Sequence, residues 1–236
     1  FTTHYLLFAA SVAVALSSAA PTKISLVGDS ITAGICAGPG GGYGKFLQQL
    51  LPSSSWTVNV FGNSGKTMLK RGADNQSYWD TPTFIQALNS TPDVVTIMLG
   101  TNDMKARFDR SADDITAGVM QLVDIVQSSG AGHGGWNASL VPSVHVICPP
   151  ALGDRAADKA WVKHEEWLGG WEKSRMLAGV LRRACHARGI DFIDANEFAV
   201  SSPDDPIHWQ AATHRAFGKA MAAQMKVLAT GDGKLG

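Results

Sequence analysis

Short apolar runs rich in β-branched residues alternate along the chain with stretches whose apolar residues return every three or four positions. The runs at 24–27, 56–61, 94–99, 144–148 and 190–193 are too short for helices and close in turn residues, so each predicts a buried strand. Between them, residues 43–51, 83–88, 112–127 and 172–187 carry helical spacing, and a last helix is expected over roughly 211–228. Alternating strands and helices predict an α/β domain, a parallel sheet with helices on both faces. Right-handed crossovers leave few topologies for it. No internal repeat or linker divides the pattern, and 236 residues suffice for one domain with a sizeable core.

The first twenty residues stand apart. Residues 5–16 form an apolar run of signal-peptide length, short for a bilayer span, and the small residues Ser18-Ala19-Ala20 and then Pro21 follow. The expected organisation is a signal peptide over 1–20 and the folded domain over 21–236. A buried N-terminal helix and a membrane anchor are the competing readings. The chain starts at Phe1, with no Met and no Lys or Arg ahead of the run, as expected of a sequence truncated upstream. The sequons at Asn75, Asn89 and Asn137 also favour a secreted protein or one in the secretory-pathway lumen, although Pro92 weakens the second. After cleavage no stable membrane insertion is expected. Cys36, Cys148 and Cys185 form no CxxC and allow at most one disulfide, and Cys148 lies in a strand-like run that reads as core.

Hydrophobic residues make up 45% of the chain and charged residues 17%, with zero formal net charge. This is a globular composition without the basic field that nucleic acid requires. Two loops are long. Residues 130–142 are glycine-rich and read as surface, while 153–171 carry Trp161, Trp167 and Trp171 among charged residues. Those tryptophans either wall a substrate pocket or pin the segment to the core.

Four blocks at predicted strand ends carry the chemistry. Gly28-Asp29-Ser30 follows the first strand, at the sheet edge where open α/β sheets bind ligands. Ser30 reads as a nucleophile that needs a base, and adjacent Asp29 points elsewhere too readily to be that base. Gly62-Asn63-Ser64-Gly65-Lys66-Thr67 follows the second strand and can supply an oxyanion donor, although an ordinary strand-exit turn explains the same residues. It lacks the spacing of a phosphate loop. Leu99-Gly100-Thr101-Asn102-Asp103 follows the third strand. The Asn102 amide suits an oxyanion, a contact typically worth about 3 kcal/mol in the transition state. Asp103 is expected to cap the following helix. Asp205-Pro206-Ile207-His208 precedes the last helix, where one loop can deliver a histidine base together with the carboxylate that orients it. His214 is the decoy, lying within the helical pattern with no Asp at the same spacing.

In this order the blocks resemble the SGNH (GDSL-type) hydrolase superfamily, across residues 28–208. The resemblance implies a three-layer α/β/α sandwich with a parallel five-stranded sheet of flavodoxin-like type. It implies Ser30 as nucleophile, His208 as general base and Asp205 as its orienting partner. The backbone N–H groups of Ser30 and Gly65 and the side chain of Asn102 would form the oxyanion hole. Pro206 departs from the family pattern, which often has Gly there, and its stiffness bears on the Asp205–His208 geometry. Residues 97–108, Cys148-Pro149-Pro150-Ala151-Leu152 and Glu172-Lys173-Ser174 are similar to the arylesterase and acyltransferase branch, where oligomers are known. Residues 61–69 with Tyr78-Trp79 look more like carbohydrate O-acetylesterases.

The implied activity is a serine esterase acting on small acyl esters, acetyl foremost, through an acyl-serine, with acyl transfer to other acceptors known in the branch. Trp161 and Trp167 are the candidate substrate-binding residues. The partner is a small-molecule ester. No cofactor or metal is expected, because no compact His/Asp/Cys cluster has ligand spacing in the sequence. The alternatives are a lysophospholipase or thioesterase with a long acyl pocket, and a secreted glycan-binding protein that keeps the fold without turnover.

Overall fold

The computed structural model describes residues 20–68, 77–132 and 140–230. Residues 1–19 of the expected signal peptide and the sequons at Asn75 and Asn137 lie outside the described residues. No helix among the described residues is long and apolar enough to cross a membrane.

Five strands form one sheet: β1 (Thr22–Gly28), β2 (Trp56–Gly62), β3 (Val94–Met98), β4 (Ser143–Cys148) and β5 (Asp191–Asp194). All neighbouring pairs are parallel and the order is β2-β1-β3-β4-β5. The chain leaves β1 in one direction to make β2, then crosses back to β3. The crevice beyond the carboxyl ends of β1 and β3 is therefore the topological switch point, where open α/β sheets place their ligands.

Side chains alternate between the two faces of each strand, and both faces are apolar. Ile24, Leu26, Val94, Met98, Ile147 and Ile193 form one core with Tyr43 and Leu47 of α2 (Tyr43–Leu50) and Phe217 and Met221 of α6 (Ala211–Thr230). Val27, Val95, Ile97, Val144 and Val146 turn to the other side. There they meet α3 (Pro82–Asn89), α4 (Ala112–Ser128) and α5 (Gly170–Ala187) through Phe84, Ile115, Val119, Leu122, Leu177 and Leu181. The result is a three-layer α/β/α sandwich. Two-sided burial explains why the strands read as continuous apolar runs instead of alternating patterns. Each such side chain removed from water contributes roughly 1.5–3 kcal/mol.

Two local features depart from the sequence-based expectation. A four-residue helix, α1 (Ser30–Ala33), follows β1 at once. It is too short for any periodicity to reveal. Asp103 does not cap the next helix. Ser111 does, accepting from the Asp114 N–H at 3.1 Å while the Asp114 carboxylate accepts from the Ser111 N–H at 2.9 Å. This reciprocal box lies directly before the helix, whereas Asp103 is buried and turned inward.

Gly28 closes β1 where three elements meet. A Cβ there would lie 2.0 Å from Thr32 Oγ1 and 2.8 Å from the Met98 carbonyl. Gly28→Ala is expected to lower stability by about 1–3 kcal/mol, the usual cost of overpacking. Urea unfolding compared with wild type measures this.

Candidate active site

The abrupt passage from β1 into α1 sets the position of Ser30. Asp29 sits between them and its Oδ1 accepts from the Ile31 N–H at 3.0 Å, which caps the short helix. Ser30, the first residue of α1, is largely buried and borders a cavity. Its Oγ lies 2.9 Å from His208 Nε2. On the far side of the imidazole, Nδ1 lies 2.7 Å from Asp205 Oδ2. With the proton on Nδ1 facing a carboxylate, Nε2 is the acceptor for the serine hydroxyl.

The loop that carries His208 is braced from within. Asp205 Oδ1 accepts from the N–H groups of Ile207 at 2.9 Å and His208 at 3.2 Å. Burial alone would raise the Asp205 carboxyl. The His208 ring bond, the Ile207 N–H and the His208 charge outweigh burial and hold it below the ordinary carboxylate range. Pro206 does not disturb the pair, and its carbonyl accepts from the Gly153 N–H at 2.8 Å, which ties the loop to the segment after β4.

Asn102 reaches the same place from the end of β3. Its Nδ2 donates to Asp29 Oδ2 at 3.3 Å and to the Lys66 carbonyl at 3.1 Å. Asn102 thus links the β1, β2 and β3 exits. Gly65 also borders the cavity, with a φ of +76° that L side chains rarely adopt. Asp29 makes no claim on the Ser30 hydroxyl through these bonds. Burial pushes its carboxyl up to about 6, partly opposed by the Ile31 N–H and the His208 charge. Asp103, also buried, accepts from the Met68 N–H with both oxygens at 3.0 Å, and burial raises it to about 7. Two carboxyls that resist ionisation therefore lie under the site.

The cavity has a volume of about 300 Å³. Ser30, Gly65, Asn102 and His208 border it together with Ile35, Lys105, Lys163, Glu166 and Trp167. Trp167 is thus part of the wall. Trp161 is not among its lining residues; both tryptophans pack in the core, and of the two expected substrate-binding tryptophans Trp167 alone also borders the cavity. Lys105 Nζ lies 2.8 Å from Glu166 Oε1 and 5.2 Å from the centre of the Trp167 ring. Sequence reasoning missed Lys105, Lys163 and Glu166. Their signal was position: Lys105 is three residues past Asn102, and the other two lie on the tryptophan-bearing loop. A larger cavity of about 510 Å³, bordered by Asp154, Arg155, Arg175 and Asn196, contains neither Ser30 nor His208. The chemistry therefore favours the smaller one.

The remaining cysteines and His214 take other places. All three cysteines are free, Cys148 and Cys185 in the core and Cys36 exposed. The fold also makes a cluster absent from the linear spacing, because donor atoms of Cys36, Asp205 and His208 lie within 4.8 Å of one another. His214 is fully buried on α6, where its Nδ1 accepts from the Tyr43 N–H at 3.2 Å and its ring stacks on Tyr43.

Residues 26–216 match the model of the GDSL-like Lipase/Acylhydrolase family. The inhibitor-bound aryl esterase of M. smegmatis superposes with a TM-score of 0.75 at 29% identity, covering 88% of this chain and 100% of that one. Est24, a carbohydrate acetylesterase from Sinorhizobium meliloti, superposes at 0.73 with 25% identity, covering 88% of this chain and 99% of that one. An acetylxylan esterase of Xylanibacter ruminicola is 40% identical over 85 residues, which is 35% of this chain but only 17% of that longer protein.

Burial holds His214 neutral and lowers its pKa to about 4, against a partly opposing bond with the Ile35 backbone. Its ring is expected to stay neutral as the pH falls through the ordinary histidine range and to take up a proton only near pH 4. An NMR titration of the histidine ring protons checks this.

Proposed function

Because the chain belongs to the GDSL-like Lipase/Acylhydrolase family, and is thereby a carboxylic ester hydrolase, we propose that it is a serine esterase that removes small acyl groups, acetyl foremost. The natural ester is proposed to be an O-acetylated carbohydrate or an aryl ester. The observation that carries the reading is the line from Ser30 Oγ through His208 to Asp205, 2.9 and 2.7 Å in its two contacts, ending on a small cavity.

The mechanism follows from that line. Ser30 Oγ attacks the ester carbonyl while His208 Nε2 takes its proton. Asp205, held as an anion by the loop around it, stabilises the imidazolium and fixes its tautomer. The tetrahedral oxyanion is held by the backbone N–H groups of Ser30 and Gly65 and by Asn102 Nδ2. Asn102 releases one of its present partners to do so, and its 3.3 Å bond to Asp29 is the longer of the two. His208 then protonates the departing alcohol, and water, activated by the same imidazole, hydrolyses the acyl-serine.

Two features of the cavity support the substrate class. Its volume, about 300 Å³, is at the lower end for ligand sites and suits a short acyl chain. Its lining includes Lys105, Lys163 and Glu166, which can donate to or accept from hydroxyl groups. The structural likeness to an aryl esterase and a carbohydrate acetylesterase favours the same class.

On p-nitrophenyl esters, wild type is expected to prefer acetate to butyrate and to turn over octanoate poorly. Ser30→Ala is expected to cut acetate hydrolysis at least about a thousandfold. A preference for octanoate would instead place the chain with lysophospholipases or thioesterases. Asn102→Ala is expected to lower kcat by about 100- to 1,000-fold with a smaller change in KM, since its bond forms mainly in the transition state. Steady-state kinetics on the same acetate ester reads both.

A further inference from the structure

After α1 ends, Gly34 donates to the Ile31 and Ser30 carbonyls and Ile35 N–H donates to the Ser30 carbonyl at 3.0 Å. Ala37, fully buried, donates to the Gly34 carbonyl at 3.1 Å and anchors the far end of the turn. Cys36 lies between these anchors with a φ of +64° and its side chain exposed. The turn brings its Sγ beside the loop that carries Asp205 and His208. One donor atom from each of the three residues lies within 4.8 Å of the other two. The cluster is open to solvent, since Cys36 is exposed and Asp205 and His208 are half-buried.

Thiolate, imidazole and carboxylate together are a donor set for zinc and related thiophilic divalent ions. Around one tetrahedral zinc such donors stand roughly 3.3–3.8 Å apart, given metal–sulfur and metal–nitrogen bonds of about 2.3 and 2.0 Å. Reaching that spacing requires the 2.7 Å contact between His208 Nδ1 and Asp205 Oδ2 to open and the exposed Cys36 thiol to approach them. Cys148 and Cys185 are buried in the core and make no comparable cluster among the described residues.

We propose that a thiophilic divalent cation, zinc first among them, binds Cys36, His208 and Asp205 and switches the esterase off. The switch rests on the reading of His208 as general base. On binding, the Cys36 thiol loses its proton to solvent as the sulfur–metal bond forms, and one His208 ring nitrogen gives its lone pair to the ion. If that nitrogen is Nε2, the imidazole must turn to bring it toward Asp205, which faces Nδ1, and the hydrogen bond from Ser30 Oγ is lost. If it is Nδ1, the ring changes tautomer, its proton moving by way of solvent to Nε2, so that Nε2 no longer accepts from Ser30 Oγ and the bond to Asp205 is lost. In both cases His208 no longer takes the Ser30 proton with Asp205 behind it. The ion is not a participant in ester cleavage, and its removal restores the free site. Water fills the remaining coordination position.

The test uses the whole protein and two independent readings, each with wild type and Cys36→Ser. Cobalt(II) titrated without substrate is expected to give a thiolate-to-cobalt charge-transfer absorption in wild type and none in Cys36→Ser. Zinc is expected to inhibit hydrolysis of p-nitrophenyl acetate by wild type, reversibly on adding EDTA. Cys36→Ser is expected to keep the metal-free activity and to need at least about tenfold more zinc for half-inhibition, since changes even to the partners of metal ligands cost 10- to 100-fold in affinity. Absence of the cobalt band in wild type, or equal zinc sensitivity in the two proteins, overturns the site and leaves the esterase reading standing. A cobalt band without zinc inhibition overturns the switch. The cobalt reading needs no turnover, so failure of the esterase reading shows separately, as absence of acetate hydrolysis in metal-free wild type.

Discussion

The contact between Ser30 Oγ and His208 Nε2 joins residues 178 positions apart in the chain, and the arrangement of the molecule serves to make it. Ser30 is placed by the exit of β1, the strand between β2 and β3. His208 is placed by a loop that its own Asp205 ties together and that Gly153 tethers to the exit of β4. Neither group would find the other without a sheet that holds these exits at one edge. The helices behind each face supply the burial that keeps the sheet rigid. The same edge carries Asn102 and Gly65, so one architectural feature gathers groups from four separate stretches of sequence.

Beneath this edge the protein tolerates two buried carboxyls. Asp29 and Asp103 each accept from backbone N–H groups of segments that border the cavity, Ile31 for one and Met68 for the other. Their pKa values, raised by burial to about 6 and about 7, show that the surroundings disfavour the charged form. A buried carboxyl with fixed donors is an expensive way to hold a loop, but a directional one, because removing either partner would leave an unpaired polar group away from water. Here that directionality sets where the Ser30 turn and the Asn102 amide stand relative to one another.

The long loop after β4 also contributes to the cavity, through Lys163, Glu166 and Trp167. Trp161 and Trp167 both pack in the core and fix the loop, and Trp167 also borders the cavity under the Lys105 ammonium. The cavity lining thus combines the groups of the proposed chemistry with charged side chains suited to meeting the leaving alcohol. Cys36 is not part of that lining. It lies beside the Asp205–His208 pair on a turn held in a conformation that costs a non-glycine residue about 1–2 kcal/mol.

The α/β alternation was legible in the sequence because strands buried on both faces must be apolar throughout, and the helices between them must carry a stripe. The Gly-Asp-Ser, Asn102 and Asp205–His208 blocks were legible because strand exits and helix entries carry turn residues, and reactive side chains stand out there against an apolar background. His214 could be set aside for the same reason, as it sits inside a helical stripe. Only the tertiary structure decided which residues face one another. The Asp103 contact with Met68, the pairing of Lys105 with Glu166, and the approach of Cys36 to His208 all join residues distant along the chain. Sequence spacing reports neighbours on one element. Contacts between elements depend on sheet order and on the path of each loop, and no local pattern encodes those distances.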